Sequence, residues 1–250
     1  MKADIVSARL QTKQLPAGYP TGLPDRAIAT TKTIPSHKSH TKALLQKLVR
    51  RPSPLKNPYH QWLKRTADVI ASTLMVLLVF PWMLPILAIL IKTDSAGPVF
   101  FIQRRHKRNG KIFGCIKFRT MEVNEEADTR PTVEEDIRIT HVGRFLRRYH
   151  IDELPQLINV ILGDMSLIGP RPHMIAENKQ FQKRINEWNL RNEVRPGITG
   201  LSQSLGNFGA TDNMRQVEDR LLFDLIYIKN WSLSMEIRII FRTFRRMASR

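Results

Sequence analysis

Ile151-Asp152-Glu153-Leu154-Pro155-Gln156-Leu157, continuing to Gly169-Pro170-Arg171-Pro172, is the stretch on which the reading of this 250-residue chain turns. Two carboxylates stand together just before an apolar pattern of helical period: Leu154, Leu157, Ile158, Ile161 and Leu162. The spacing predicts a helix capped by Asp152, with Pro155 in its first turn and Gly163 as its stop. Asp152 and Glu153 then lie at a helix N-terminus, where free N–H groups and the dipole favour anions such as phosphate. Basic residues surround them: Arg144, Arg147 and Arg148 before, Arg171 after. Two readings stay open on spacing alone. One is a centre for metal-assisted phosphoryl chemistry, and the other an ordinary capped helix whose acids offset nearby arginines.

The chain is long enough for one or two domains with a sizeable core. Forty Lys and Arg against 22 Asp and Glu give a formal charge of +18. Such an excess points to an acidic partner: nucleic acid, an anionic membrane surface or a phosphorylated substrate. It is concentrated at the start, where the first 65 residues carry 13 Lys or Arg and only Asp4 and Asp25 as acids. The single cysteine, Cys115, excludes an intrachain disulfide and reads as a core residue beside Phe113 and Ile116. The seven histidines have no zinc-ligand spacing.

Residues 1–60 hold seven prolines and no sustained apolar period beyond a hint of helix at Ala43–Val49. They read as a disordered basic arm. Val69–Ile91 follows, 23 residues without a charge and long enough to cross a bilayer. Pro81 and Pro85 predict a kink or break in its second half, leaving backbone groups that Ser72, Thr73 or packed protein must satisfy. Both flanks are basic: Lys64 and Arg65 before, Lys92, Arg104, Arg105, Lys107 and Arg108 after. The positive-inside rule disfavours translocating either, so a helix-break-helix that enters and leaves on the cytoplasmic face is preferred to a single span.

Beyond the turn at Asp94–Pro98, Val99–Gln103 and Lys111–Phe118 flank Arg108-Asn109-Gly110, a hairpin signal that puts Ile112, Gly114, Ile116 and Phe118 on one face. Glu122–Glu135 reads as an acidic loop. Ile137–Tyr149 reads as a basic helix, Met174–Trp188 as a helix of mixed charge, and Arg195–Gly200 and Gly206–Asp212 as loops. Arg215–Ile228 is helical with Val217, Leu221, Leu222, Leu225 and Ile228 on one side. Leu233–Met247 is amphipathic, with Leu233, Ile237, Ile240, Phe241, Phe244 and Met247 on one stripe and Arg238, Arg242, Arg245 and Arg246 on another. It fits either a membrane interface or a core-packed helix with a solvated basic face.

Several stretches together resemble the bacterial sugar transferases, the monotopic polyprenyl-phosphate phosphoglycosyl transferases. They are Lys64-Arg65…Asp68, Asp94-Ser95…Gly97-Pro98-Val99-Phe100-Phe101, Lys117-Phe118-Arg119-Thr120-Met121, the Asp152–Leu157 run, Gly163–Pro172, Arg195–Gly200 and Asp224…Tyr227-Ile228-Lys229-Asn230-Trp231. The likeness covers roughly Trp62–Met247 and is nearest to hexose-1-phosphate transferases of exopolysaccharide or O-antigen synthesis. It implies a fold that is mainly α with a small β-hairpin. A re-entrant membrane helix (61–95, broken at Pro81 and Pro85) would join a compact cytoplasmic α+β catalytic domain (96–250) with interfacial amphipathic helices. It implies transfer of a hexose-1-phosphate, glucose or galactose being the expected sugar, from a UDP-sugar to undecaprenyl phosphate with release of UMP. The expected place is the cytoplasmic face of a bacterial inner membrane.

By resemblance, Asp152 is the nucleophile that forms a phosphosugar-enzyme intermediate and Glu153 the ligand of Mg²⁺. Arg147 holds a phosphate, and Lys117, Arg171 and Pro172 line the nucleotide-sugar site. Arg119 either contacts phosphate or pairs with the acidic loop. Lys64, Arg65 and Asp68 orient the membrane helix, Asp164 forms a turn, and Asp212 and Arg215 are candidates to read the sugar. Anionic lipids are expected partners, a homodimer is compatible with the sequence, and nucleic acid is not expected. This chain departs from the usual pattern at Phe80-Pro81, Ala67, Lys107 and Leu201-Ser202. The competing readings are a membrane-tethered nucleic-acid or regulatory protein using the basic arm, and a transferase without a covalent step.

Overall fold

The computed structural model describes residues 37–124, 136–207 and 213–249. The acidic loop from residue 125 on, Asp212 and the first 36 residues therefore lie outside the described residues.

Helix α1 (His37–Arg50) opens the described chain. Its Leu45 and Leu48 are buried in the main core against α7 (Met214–Lys229). The basic arm expected over 1–60 is thus structured from residue 37, because two leucines three apart find an apolar groove. Asn57 caps α2 (Pro58–Asp94) by accepting from Tyr59 N, and Pro58 sits at the first helical position.

Helix α2 inverts the usual burial order. Its polar residues Lys64, Asp68 and Ser72 are buried, while Leu78 and Trp82 are 70% and 78% exposed. Its apolar run is the one helix among the described residues long and apolar enough to cross a membrane. Of the expected kink or break, no break is seen: α2 is helical through Pro81 and Pro85. Ser72, a candidate partner for freed backbone groups, is buried with its hydroxyl unpaired.

Strands β1 (Phe100–His106) and β2 (Ile112–Phe118) form the expected antiparallel hairpin around Arg108–Gly110, with Asn109 and Gly110 in left-handed conformations. Cys115 is in the core, as expected, and of Ile112, Gly114, Ile116 and Phe118 only Phe118 is buried. Phe113 and Cys115 pack on Val160 and Met165, whereas Ile112 is exposed. The register pairs Gln103 with Cys115 and Arg105 with Phe113, so Gln103, Arg105 and Lys117 share that inner face.

Helix α3 (His141–Arg148) begins four residues later than expected; Ile137 is fully exposed and Ile139 bridges Met121 instead. Helix α4 (Gln156–Leu162) starts after the acids and has no side-chain cap, so Asp152 does not cap it. Its buried residues are Gln156, Leu157, Asn159 and Val160, and Leu162 of the expected stripe is exposed. The reason is polar: Asn159 accepts from Ile116 N at 2.9 Å and donates to Gly114 O at 2.8 Å, closing the free edge of β2. Gly163 ends α4 in the left-handed region, as expected.

Two short strands, β3 (Ser166–Ile168) and β4 (Gly197–Thr199), pair in parallel, the second within a stretch expected to be a loop. Helix α5 (Ile175–Arg184) gives way to 3₁₀ turns over Asn186–Glu193, and α6 (Leu201–Ser204) is a single turn. The expected stripe of α7 is buried throughout. In α8 (Leu233–Ala248) the core side is Glu236 and Ile239, and the apolar stripe from Leu233 to Met247 is exposed. The fold is mainly helical with small sheets and one long apolar helix.

Candidate active site

Asp152 and Glu153 sit in a 3₁₀ turn, Ile151–Glu153, between α3 and α4. His150 enters it in a left-handed conformation, φ 57°, which turns the chain sharply and points the two acids inward. Both are buried, 8% and 6% exposed. Buried carboxylates need cationic partners, and Glu153 has two. Lys117 Nζ donates to Oε1 at 2.8 Å, and Arg171 donates from Nη2 to Oε1 at 2.7 Å and from Nη1 to Oε2 at 3.1 Å. Lys117 comes from the inner face of β2, and Arg171 from the Gly169–Pro172 turn after β3.

The neighbouring acids are driven apart in acidity. Burial pushes Asp152 up, with the Glu153 charge adding to it, to a pKa of about 6 despite Lys117, Arg147 and Arg171. Burial also acts to raise Glu153, but Arg171 and Lys117 outweigh it and hold the carboxyl well below its ordinary value. The pair is thus one firmly ionised carboxylate and one that is poised, a pattern typical of functional sites. Arg171 is in turn raised, chiefly by Glu153. Arg147 donates from Nε to Thr120 Oγ1 at 2.7 Å; burial lowers its pKa while Asp152 raises it. That contact depends on Gly143, where an added Cβ would lie 2.1 Å from Thr120 O. Only glycine lets α3 approach closely enough for Arg147 to be seated there.

Two residues that the sequence reading did not single out complete the frame. Arg105 donates to the Pro172 carbonyl and grips Gln103 Oε1 at 2.6 and 3.1 Å. Arg191 donates to the Arg171 carbonyl at 2.8 Å and to Asp224 Oδ2 at 2.6 Å, stacked over Trp188 at 4.5 Å. Two buried guanidiniums therefore hold consecutive carbonyls of the turn that presents Arg171. No local pattern marks Arg191, which lies in the 3₁₀ turns after α5. Alternation along β1 relative to Lys117 was the one available signal for Arg105. Two small clefts share Arg171 in their lining. Pro172 lines the first, beside Pro170 and Pro196, and Ser202 and Gln203 line the second.

A match to the bacterial sugar transferase family extends over residues 59–250 and so takes in the hairpin, the acidic pair and all the cations around it. The chain belongs to that family. It is 44% identical over 192 residues to a UDP-glucose:undecaprenyl-phosphate glucose-1-phosphate transferase of Klebsiella pneumoniae, covering 76% of this chain and 41% of that protein. It is 42% identical to the exopolysaccharide production protein PSS of Rhizobium leguminosarum bv. phaseoli, over 72% of this chain and 92% of that one. A UDP-N-acetylgalactosamine-undecaprenyl-phosphate N-acetylgalactosaminephosphotransferase of Aeromonas hydrophila is 39% identical, over 77% and 45%. The chain thus spans about two fifths of the first of these relatives.

Among the residues picked out by sequence, Lys117, Arg147, Asp152, Glu153, Arg171 and Pro172 converge. Arg119 does not join them. It is buried, donating to the carbonyls of Ser95 at 2.6 Å, Ile91 at 3.2 Å and Ala96, so it closes the C-terminus of α2. Pro81 and Pro85 lie within α2, outside this cluster. Lys64, Arg65 and Asp68 tie the first half of α2 to the rest of the fold. Lys64 pairs with Glu236, Arg65 Nη2 donates to Ile161 O at 2.8 Å, and Asp68 Oδ1 accepts from Leu167 N at 3.1 Å. Lys107, an unusual residue at its place, pairs with Asp164 at 2.6 Å.

No group of three or more His, Cys, Asp or Glu side chains gathers among the described residues. Mg²⁺ needs no such group, since one or two carboxylates with phosphate oxygens and water complete its shell. Three of the four lone-pair positions of Glu153 are taken by Lys117 and Arg171. One on Oε2, with the adjacent Asp152, is left for such an ion.

Proposed function

We propose that this chain transfers a hexose-1-phosphate from a UDP-sugar to undecaprenyl phosphate, releasing UMP, through a phosphosugar carried on Asp152. One observation supports this above the others: a poised, buried carboxylate stands beside a second carboxylate locked by Lys117 and Arg171. Asp152 carries no hydrogen-bond partner that would spend its lone pairs among the contacts described above, and three cations offset phosphate charge around it. The relatives whose names specify undecaprenyl-phosphate sugar phosphotransfer support the substrate class.

In the first half-reaction, a carboxylate oxygen of Asp152 attacks the sugar-bearing phosphorus. The bond from that phosphorus to the bridging oxygen breaks, and UMP leaves with the electron pair. Arg147, Arg171 and Lys117 balance the charge that builds on the phosphoryl oxygens. Arginine suits two of these places because its planar fork matches phosphate oxygens. In the second half-reaction, an oxygen of undecaprenyl phosphate attacks the same phosphorus, and the acyl-phosphate bond breaks to return Asp152 as carboxylate. Mg²⁺ held by Glu153 and Asp152 would supply Lewis-acid neutralisation of the diphosphate.

The acceptor's tail stays in the bilayer, so the acids must be held at its surface. Both ends of α2 are bound to the catalytic domain: Lys64 and Asp68 at one, Asp94 Oδ2 accepting from Val142 N at 2.8 Å and Arg119 at the other. A single span would place those ends on opposite faces of the membrane, so their common attachment supports re-entry from the cytoplasmic side, with bending at Pro81 and Pro85. The exposed apolar stripe of α8 supports its lying in the interface.

The test uses detergent-purified protein with UDP-sugars and Mg²⁺ but no lipid acceptor. Stoichiometric UMP and one phosphosugar mass on the Asp152 peptide are expected. Turnover that begins only with undecaprenyl phosphate and leaves no adduct would establish direct transfer and remove the covalent step.

A further inference from the structure

A second cluster of arginines lies at the opposite end of α4 from the acids. Arg65 donates to the carbonyls of Val160 and Ile161, and Arg195 Nε donates to that of Gly163 at 2.9 Å. The two guanidiniums meet at one residue, for a Cβ added at Gly163 would stand 3.4 Å from Arg65 Nη2. Arg108 reaches in from the hairpin turn, donating from Nη1 to Gln61 Oε1 at 3.2 Å, one helical turn before Arg65. Its Nε is buried with no partner. Among the described residues none of the three forms an ion pair, and the adjacent Lys107 is already neutralised by Asp164. The C-terminal dipole of α4 offers about half a negative charge against three full positive ones. Burial lowers the pKa of Arg195, the charges of Arg65 and Arg108 lower it further, and the Asp68 carboxylate acts the other way. Asp68 is itself engaged by Lys64 and Leu167 N, so among the described residues no carboxylate pairs with the cluster.

Its depth indicates which anion. Tyr59 and Trp62, 62% and 63% exposed, stack 6.5 Å apart on the same end of α2, as aromatics do at a membrane interface. The uncharged run begins at Val69, one turn beyond Arg65, and exposed Leu162 lies beside the cluster. If α2 enters the bilayer, as proposed above, the three guanidiniums lie at the level of the headgroup phosphates.

We propose that Arg65, Arg108 and Arg195 form a binding site for the phosphate of a membrane phospholipid, distinct from the Asp152–Glu153 centre. The bound lipid fixes how deep the amino-terminal end of α2 sits.

Native mass spectrometry of the full chain in detergent, titrated with dioleoylphosphatidylglycerol, tests this without reference to turnover. One tightly retained lipid is expected, with retention about tenfold weaker in Arg108→Gln/Arg195→Gln, the scale of losing charge-assisted hydrogen bonds. Arg238→Gln/Arg245→Gln removes the same charge from α8 and should leave retention unchanged. Arg108→Gln alone, which touches no backbone carbonyl, should still weaken it if the double variant does not fold. Dioleoylglycerol, which lacks phosphate, should not be retained. Equal retention by parent and Arg108→Gln, equal loss in the α8 variant, or retention of dioleoylglycerol would overturn the site. Displacement by excess inorganic phosphate, or one-for-one by undecaprenyl phosphate, would overturn its assignment to a phospholipid. Failure of the proposed reaction would appear separately, as absent UMP with lipid retention intact.

Discussion

Arg171 grips Glu153 with both arms of its guanidinium, at 2.7 and 3.1 Å, while its own carbonyl is held by Arg191. A lysine at this position could reach only one oxygen at a time and would leave the turn's alignment unread. Arg171→Lys is therefore expected to lower kcat/KM about a hundredfold, the scale of losing an oriented cationic donor. Steady-state UMP release checks this, and near-parental rates would show that charge alone suffices.

The two acids should respond oppositely in stability although both are needed for turnover. Asp152 is raised in the fold, so its stabilising contribution is present below its ordinary value of 3.8 and is lost as pH rises through about 6. Asp152→Asn removes that cost at neutral pH and should stabilise by on the order of 3 kcal/mol, since the rise is about two pKa units at about 1.4 kcal/mol each. Glu153 is lowered, so its contribution is present above its ordinary value of 4.5 and is lost as pH falls through the folded value. Glu153→Gln leaves Lys117 and Arg171 buried without their charge partner and should destabilise by about 3–5 kcal/mol. Thermal unfolding in detergent at neutral pH distinguishes them; two shifts of the same sign would contradict the reading of the pair.

A nucleophilic Asp152 must be ionised. Formation of the adduct should fall as pH is lowered through about 6, one proton being taken up. Single-turnover UMP release across pH measures this. A rate flat down to pH 5 would mean that the group attacking phosphorus is not the raised carboxyl.

Arg119 should behave as structure. Arg119→Ala leaves the carbonyls of Ile91, Ser95 and Ala96 without their donor and is expected to cost about 3 kcal/mol or more. KM for the UDP-sugar should be unchanged in the folded fraction. A raised KM with unchanged melting would return Arg119 to the substrate site.

Gly143→Ala places a methyl 2.1 Å from Thr120 O and must push α3 away from the strand end. Because Arg147 reaches Thr120 Oγ1 from that helix, the variant should lose activity beyond its loss of stability. Comparing kcat in folded Gly143→Ala and Arg147→Ala proteins checks this, similar deficits being expected.

Local pattern alone determined much of the molecule. The apolar stripe of α7, the Asn109-Gly110 hairpin, the stop at Gly163 and the uncharged length of α2 are short-range properties, decided by periodicity and by which residues tolerate a positive φ. The adjacency of Asp152 and Glu153, and Arg147 five residues before them, was equally legible. Tertiary structure decided what these residues do. Lys117 lies 36 residues before Glu153 and Arg171 lies 18 after it, and each meets it only because β2 and the turn after β3 are brought to one place. The hairpin, its period and the buried place of Cys115 could be read, but not what covers that face, since Val160 and Met165 arrive from a later part of the chain. Arg119 stayed open between a phosphate and the acidic loop because charge is what sequence makes visible. Its true partners are backbone carbonyls of α2, which every residue carries and no sequence distinguishes.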